Sequence, residues 1–376
     1  MAMNDTSGRP LPPTPRSGAP RIGVLRSGPR DTIADVRDVN VGHVTLADGA
    51  IQTGVTVIRP HGGDPYRQPL PAASTVVNGF GKTLGLVQLD ELGTLESPIA
   101  LTNTFAVGTI ATAMIRHAVA ANPRIGRELP TVNPVVAECN DGWLNDLQSF
   151  AVEERHYVQA FDAATAEFAQ GAVGAGRGMS CFELKGGIGS ASRIAHTRDE
   201  HVVGALVLAN FGRLRQLTIG GVAVARTPDT AMVSQPEMGS IIVVLATDAP
   251  VDARQLRRIA KRSAAGIART GSNFAHGSGD IAIAFSTHPS PRTREGGAER
   301  DADSPSRGAR GEGWGEGLRD AALDPLFDAA AEATEQAIVH ALFAAETVRG
   351  RDGHARVAII ERFPDWRARL GVATPS

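Results

Sequence analysis

Three short runs of apolar residues constrain most strongly what this chain can fold into. Residues 202–209 read VVGALVLA, residues 241–246 read IIVVLA, and residues 281–285 read IAIAF. Runs of this length without polar alternation predict strands that are buried on both faces. Strands and helices are mixed along the chain without a regular alternation, so an α/β layered sandwich is favoured over a doubly wound sheet.

Weaker patterns predict the remaining elements. Short strands are expected at residues 31–44, 54–58, 75–77, 84–88 and 134–139. The spacing of small and aliphatic residues predicts helices at 105–121, 148–170, 252–269 and 325–347. The chain has 376 residues, of which 42% are hydrophobic, so it can bury one large α/β core or two smaller ones.

Two segments are predicted to be disordered. Residues 1–22 are rich in Pro, Gly, Ser and Arg and have no apolar stretch of the kind that a secretory signal needs. Residues 289–317 carry many charges of both signs and almost no aliphatic side chains. We therefore expect a leader over 1–22 and a disordered surface insertion over 289–317.

Composition argues against several classes of function. The formal net charge of −2 gives no overall field that would favour nucleic acid or an anionic membrane surface. No uninterrupted apolar run approaches 18 residues, so no membrane span is expected. The histidines are scattered without a ligand spacing, so no metal site is expected. Cys139 and Cys181 are too few for a disulfide framework, and we expect free thiols in a cytoplasmic protein.

A glycine-rich segment at residues 171–193, GAVGAGRGMSCFELKGGIGSASR, raises the question of a phosphate-binding loop. The Walker A pattern fails because Arg177 and Gly178 stand where Lys and Ser or Thr are needed. The dinucleotide pattern fails because the glycines follow a helical pattern instead of a strand. We expect these glycines to allow tight turns and close backbone approach, and no cofactor is implied.

The predicted helix at 252–269 has one basic face. Its cations are Arg254, Arg257, Arg258, Lys261 and Arg262. Such a face could meet an acidic partner, but a solvated helix surface is the more common explanation.

Polar residues stand at the ends of the three apolar runs. Gly239 and Ser240 come directly before the second run, Asn210 follows the first, and Ser278 and Asp280 precede the third. Taken alone, each is typical of an ordinary turn at the end of a strand.

Taken together, seven motifs in one order resemble the P1 family of serine aminopeptidases, peptidase family S58. They are GVTVI, CNDGWLND, GMSCFELKGGIGSASR, LANFG, MGSIIVVLATDAP, GSGDIAIAFST and DPLFDAAAEATEQAI, spread over residues 33–353. The family includes L-aminopeptidase/D-amidase/esterases and β-peptidyl aminopeptidases. The resemblance implies one domain over 23–369, a four-layer αββα sandwich similar to N-terminal-nucleophile hydrolases but differently connected.

The resemblance also implies how the Gly239–Ser240 pair functions. Enzymes of this family cut their own backbone before a serine, and here that bond is Gly239–Ser240. The cut leaves Ser240 with a free α-amino group, whose reference pKa is about 7.7 to 8.0. Such an amine can accept the proton of the serine hydroxyl, so the nucleophile carries its own base. The expected assembly is a homo-oligomer of cleaved α/β heterodimers.

Further roles follow from the matched motifs. Asn210 matches the asparagine that supplies an oxyanion-hole donor, and Ser278 with Asp280 matches a Ser-x-acidic pair that contacts the amine and the nucleophile. Trp143 stands where the family commonly has tyrosine, so the rate or substrate range is expected to differ. Glu138 is a candidate partner for the substrate's ammonium group, with a structural salt bridge as the alternative.

The function expected from the resemblance is removal of the amino-terminal residue from small peptides, amides or esters through an acyl-serine intermediate. One alternative is an acyltransferase similar to the ornithine acetyltransferases, although these use threonine where this chain has Ser240. The other is an uncleaved binding or scaffold protein that keeps the fold without the activity.

Overall fold

The computed structural model describes residues 18–225, 239–288 and 318–372. Two sheets account for ten strands in these ranges. The strands are β1 (Asn40–Asp48), β2 (Ile51–Arg59), β3 (Leu70–Gly79), β4 (Thr94–Leu95), β5 (Ile99–Asn103), β6 (Val135–Cys139), β7 (Gly187–His196), β8 (Glu200–Asn210), β9 (Ser240–Thr247) and β10 (Gly279–Ser286). Two-residue strands pair separately as Ser180–Cys181 with Leu184–Lys185, Thr218–Ile219 with Val222–Ala223, and Val348–Arg349 with Ala355–Arg356.

The helices pack around these sheets. The α-helices are α1 (Leu86–Leu92), α2 (Val107–Ala121), α3 (Glu154–Asp162), α4 (Ala253–Ala260), α5 (Ser263–Arg269), α6 (Asp324–Phe343), α7 (Ile359–Arg362) and α8 (Trp366–Arg369). Single 3-10 turns occur at Ile33–Asp35, Thr104–Ala106, Leu147–Ser149, Gly174–Gly176, Leu214–Gln216, Asp320–Ala322 and Arg351–Gly353.

Both sheets are mixed. The first has the order β1-β2-β5-β6, and the second has the order β4-β3-β10-β9-β8-β7. Strands β5 and β6 are parallel, as are β9 and β10, and the other neighbours are antiparallel. The parallel pair β9 and β10 is therefore the centre of the six-stranded sheet.

The core between the two sheets is formed by side chains from both. Ile58 and Leu101 project from the four-stranded sheet, and Leu206, Val244 and Ile283 project from the six-stranded sheet into the same buried cluster. This cluster holds the two sheets face to face, as in other sheet sandwiches.

Helices cover the outer faces. Val207 and Val243 alternate with Leu206 and Val244 along their strands and pack against α4, α5 and α6. Val57 packs against α2 and α3 on the outer face of the other sheet. The layers are therefore helices, four-stranded sheet, six-stranded sheet and helices, which confirms the predicted αββα sandwich. Burial on both faces is why the three apolar runs lack polar alternation.

Four local predictions were wrong. The strand expected over 31–44 begins only at Asn40, and residues Ile33–Asp35 form a 3-10 turn instead. Residues 84–88 do not form a strand, because Gly85 and Gly93 adopt left-handed conformations at the two ends of helix α1. The helix expected over 148–170 is limited to α3, since the chain then turns so that Thr165 bridges Val41 of β1. The helix at 252–269 is broken, and the Ser263 hydroxyl donates to the Ala260 carbonyl at the break.

The basic face of α4 is paired within the chain. Arg254 and Arg258 contact Asp320, and Arg257 contacts Asp90. The arginine side chains are 60%, 44% and 38% exposed for Arg254, Arg257 and Arg258, so the face is a solvated helix surface, as the more common explanation predicts, and it carries ion pairs to neighbouring segments.

Helix α2 and the turn before it are more apolar than expected, since no segment long and apolar enough for a membrane span was predicted. Residues Thr104–Ala121 are long and apolar enough, by length and composition alone, to cross a membrane. In the fold, Ile110 and Met114 of this segment are buried in the cluster that covers the four-stranded sheet. The segment serves here as an outer helix of the sandwich.

The amino-terminal part of the described chain is packed. Ile22 is buried, its N–H donates to the Gln336 side chain of α6 at 2.6 Å, and Gln336 donates to the Pro20 carbonyl at 3.1 Å. The last residues of the expected leader thus belong to the packed domain, whereas residues 1–17 lie outside the described ranges. The insertion expected at 289–317 also lies outside them.

Candidate active site

The predicted site residues meet at one end of the sandwich, where several strands begin or end. Strand β8 ends at Asn210, β9 begins at Ser240, β10 begins at Gly279 and β6 ends at Cys139. Asn210 and Ser240 are partners in the antiparallel register, and Ser240 and Gly279 are partners in the parallel register. The sheet therefore places an amide, a hydroxyl and a backbone N–H side by side.

One backbone N–H group contacts both the Ser240 hydroxyl and the carbonyl of the peptide bond that precedes Ser240. The Gly279 N–H lies 3.1 Å from Ser240 Oγ and 3.3 Å from the carbonyl oxygen of Gly239. Ser240 is nearly fully buried. A single backbone donor thus faces both the hydroxyl and the carbonyl that this hydroxyl would attack.

Close packing explains the two glycines. A Cβ on Gly239 would lie 2.6 Å from the Asn210 carbonyl oxygen, and a Cβ on Gly279 would lie 2.7 Å from the Phe80 carbonyl oxygen. Neither glycine has a positive φ, so the requirement comes from the lack of a side chain rather than from an unusual backbone conformation.

Asn210 is fixed from both ends of its amide. The Ser180 N–H donates to Asn210 Oδ1 at 2.8 Å, and Asn210 Nδ2 donates to the Asn140 carbonyl at 3.0 Å. These two bonds determine which end of the amide is the NH₂ group. Because an amide NH₂ has two hydrogens, the second remains for an oxygen at the site.

Ser278 and Asp280 form a buried pair. The Ser278 hydroxyl donates to Asp280 Oδ1 at 2.6 Å, and both side chains are almost fully buried. The Asn78 side chain donates to the Ser278 carbonyl. Ser278 and Asp280 flank Gly279 in the sequence, so the pair lies next to the Gly279 N–H that faces Ser240.

Glu138 lies at the end of β6 with a buried side chain. Its Oε1 accepts from the Lys82 N–H at 2.8 Å, and the Thr104 hydroxyl donates to Oε2. Glu138 Oε1 and the Cα of Gly279 both lie within 4 Å of the point that a Cβ on Gly81 would occupy. The carboxylate is therefore close to the Ser240 site and keeps lone pairs for a cation.

Trp143 is 44% exposed. Its ring stacks on His354 with centroids 4.0 Å apart, and the Arg356 guanidinium lies 4.4 Å from the ring centroid. Arg356 also donates to the Ser180 hydroxyl at 3.0 Å. Trp143 thus connects to the segment that holds Asn210, and no hydrogen bond to Ser240 is seen among the described residues.

Burial shifts the pKa of three groups around this end of the sandwich. It raises the pKa of the Asp141 carboxyl from 3.8 to about 7 and lowers the pKa of the Lys185 ammonium from 10.5 to about 7. It also raises the pKa of the Cys139 thiol well above 9.0. Cys139 is therefore protonated near neutral pH, which disfavours it as a nucleophile. Cys139 and Cys181 are both free and buried, as expected.

Sequence reasoning missed the backbone groups that complete the site. The Gly279 N–H, the Asn140 carbonyl and the Ser180 N–H all contact predicted site residues. Each of these residues lies within one of the seven motifs, but a backbone donor or acceptor has no signature in residue type. Their position within a matched motif was the one signal in the sequence that could have pointed to these backbone groups.

Comparisons with known proteins agree with this geometry. Residues 31–356 match the model of Peptidase family S58. Beta-peptidyl aminopeptidase BapA of Sphingosinicella microcystinivorans is 36% identical to this chain over 373 residues, which cover 92% of this chain and 88% of that protein.

Two solved structures share the fold. The beta-aminopeptidase of a Burkholderia species is 39% identical with a TM-score of 0.81, covering 96% of this chain and 99% of that one. The L-aminopeptidase D-Ala-esterase/amidase of Ochrobactrum anthropi, described as a variant of the Ntn hydrolase fold, is 34% identical with a TM-score of 0.81, covering 97% and 100%. The chain belongs to peptidase family S58 and is a serine aminopeptidase with this variant of the Ntn hydrolase fold.

Proposed function

We propose that this aminopeptidase cuts its own chain at Gly239–Ser240 and then uses the new terminal serine as its nucleophile. The observation that carries the proposal is the Gly279 N–H, which faces both Ser240 Oγ and the Gly239 carbonyl oxygen. A donor in this position can hold the oxyanion that forms when the hydroxyl attacks the carbonyl.

Self-cleavage then follows in two steps. Ser240 Oγ adds to the Gly239 carbonyl carbon, the C–N bond breaks, and the hydroxyl proton passes to the departing nitrogen. The product is an ester between Gly239 and Ser240. Water hydrolyses the ester, leaving a carboxylate on Gly239 and a free amine on Ser240.

Substrate hydrolysis uses the same oxygen atom. The free α-amine of Ser240, with a reference pKa of about 7.7 to 8.0, takes the Oγ proton as the hydroxyl attacks the substrate carbonyl. The Gly279 N–H and the remaining Asn210 Nδ2 hydrogen stabilise the oxyanion, each donor contributing a few kcal/mol. The leaving group departs with a proton, and water releases the acyl group from Ser240. Ser278 and Asp280 orient the amine and the nucleophile.

The proposed substrates are small peptides, amides and esters with a free amino terminus. Glu138 binds the substrate's ammonium group, because its buried carboxylate lies near Gly279 and has lone pairs to spare. Among the relatives, beta-peptidyl, L-aminoacyl and D-alanyl substrates are named, so this chain is expected to accept at least one of these classes. A homo-oligomer of cleaved pairs in the cytoplasm is part of the same proposal.

Intact mass of the freshly purified protein tests the proposal. We expect two fragments that meet at Gly239–Ser240 in the wild type and one chain in Ser240→Ala. A folded wild type that stays whole would overturn the mechanism and favour the scaffold hypothesis. Comparison of water with ornithine as acceptor of a trapped acyl group separates hydrolysis from acyl transfer.

A further inference from the structure

A buried lysine with no acidic partner lies behind the oxyanion donor. The Lys185 side chain is fully buried, and its ammonium group donates to the carbonyls of Gly176 and Met179 at 2.9 Å and of Gly186 at 2.7 Å. No carboxylate in the described ranges forms a salt bridge with it. Fully buried lysines are rare unless paired, because removing the charge from water is costly.

The three carbonyls match the three protons of an ammonium group. Burial lowers the pKa of Lys185 to about 7, yet every donor has an acceptor. An apolar side chain of equal length would leave three buried carbonyls without this donor. The three acceptors therefore favour the ammonium form and oppose the burial that lowers its pKa.

The carbonyl of Met179 connects this lysine to the active site. The peptide group that joins Met179 to Ser180 accepts from Lys185 through its C=O and donates from its N–H to Asn210 Oδ1 at 2.8 Å. Because a peptide group is planar, fixing its carbonyl also fixes the direction of its N–H. The Gly186 N–H also donates to the Met179 carbonyl at 3.2 Å, so Lys185 is one of two donors that hold this peptide group and, through it, the Asn210 amide.

We propose that Lys185 is a positioning residue that sets the orientation of the Asn210 oxyanion donor through the Met179–Ser180 peptide group. This inference rests on the proposed function, which assigns Asn210 to the oxyanion of substrate hydrolysis, and it extends the same donor to the oxyanion of self-cleavage. Lys185 itself touches neither the scissile bond nor the substrate. Its effect on the reaction is exerted through one rigid amide plane.

A double-mutant cycle on self-cleavage tests the proposal. Rate constants are measured by pulse-labelled cell-free translation for wild type, Lys185→Met, Asn210→Ala and the double variant. We expect Lys185→Met to slow cleavage at least tenfold beside an intact Asn210 and less than twofold in the Asn210→Ala background. An equal factor in both backgrounds would mean that the lysine supports the fold alone, and it would overturn the proposal.

The control removes a neighbouring cation that has no link to Asn210. Arg177 lies in the same glycine-rich segment but bonds Gln52 and Glu346, so Arg177→Met is expected to leave the cleavage rate within twofold of wild type. If Lys185→Met gives no folded chain by circular dichroism, the cycle is run with Lys185→Gln, which keeps two donors. Cleavage by the wild type in the same assay supports the proposed function whatever the cycle shows.

Mature enzyme gives a second readout. Where Lys185→Met is cleaved slowly but completely, kcat is expected to fall at least tenfold while KM stays within twofold, because the donor acts on the transition state. A fall in thermal midpoint with unchanged kcat would assign Lys185 to stability and contradict the proposal.

Discussion

Ser240 and Gly279 face each other in register across two parallel strands, with the Gly279 N–H 3.1 Å from Ser240 Oγ. The donor belongs to the backbone, so no substitution other than proline at position 279 removes it. Its effect must be tested through the residues that hold the two strand ends in place.

Gly239→Ala is expected to slow self-cleavage at least tenfold. The added Cβ would lie 2.6 Å from the Asn210 carbonyl oxygen, so the scissile carbonyl must move away from the Gly279 N–H. Denaturing electrophoresis of protein sampled over time measures the effect. Gly62→Ala is the matched control, because nothing lies within 4 Å of its Cβ position. Unchanged cleavage in Gly239→Ala would contradict the role of close packing.

Asn210→Ala is expected to reduce kcat by about 10² to 10³, the usual effect of removing one oxyanion donor. KM for an aminoacyl p-nitroanilide should change little, since the lost bond forms in the transition state. Asn133→Ala serves as control, because its side chain donates to the Gly85 carbonyl, away from Ser240. A kcat within threefold of wild type would exclude Asn210 from the oxyanion hole.

Glu138→Gln is expected to raise KM by about tenfold to a hundredfold, since a hydrogen bond to a charged group contributes about 1.5 to 3 kcal/mol. Self-cleavage involves no substrate ammonium and should stay within threefold of wild type. Steady-state kinetics on the mature enzyme measures KM, and denaturing electrophoresis of protein sampled over time measures self-cleavage. A KM within twofold of wild type would leave Glu138 with the structural role offered as the alternative.

Asp141→Asn is expected to change how stability depends on pH. The folded-state pKa of about 7 exceeds the ordinary 3.8, so Asp141 contributes stability below pH 3.8 that is lost as pH rises to 7. Relative to its parent, the variant should gain up to about 4 kcal/mol between pH 4 and pH 8. Urea unfolding in the Ser240→Ala background keeps the chain whole. A difference independent of pH would refute the shift.

Much of the fold could be predicted because burial on both faces leaves a direct pattern. The runs that contain Val207, Val243 and Ile283 are buried strands, as expected, and the structure places them in one sheet. Helix α1 could not be predicted, since its ends depend on Gly85 and Gly93 adopting left-handed conformations. Strand and helix patterns do not differ over so short an apolar segment.

The site was predictable only at the level of side chains. Motif order pointed to Ser240, Asn210 and Glu138, and the fold brings these residues to one end of the sandwich. The choice of Asn210 over other asparagines cannot be read from its type, because it depends on bonds to Ser180 and Asn140 that chain folding creates. Backbone partners of this kind are products of tertiary structure.

The order of the six-stranded sheet has a consequence for the processed enzyme. Strands β9 and β10 follow the proposed cut at Gly239–Ser240, yet they lie between β3 and β8, which precede it. After this cut, the two pieces share one sheet. If heat separates them, refolding requires that two separate chains associate, and the rate of that step depends on protein concentration. Inactivation of the processed enzyme should therefore be practically irreversible in dilute solution, whereas the uncut chain can refold as a single molecule.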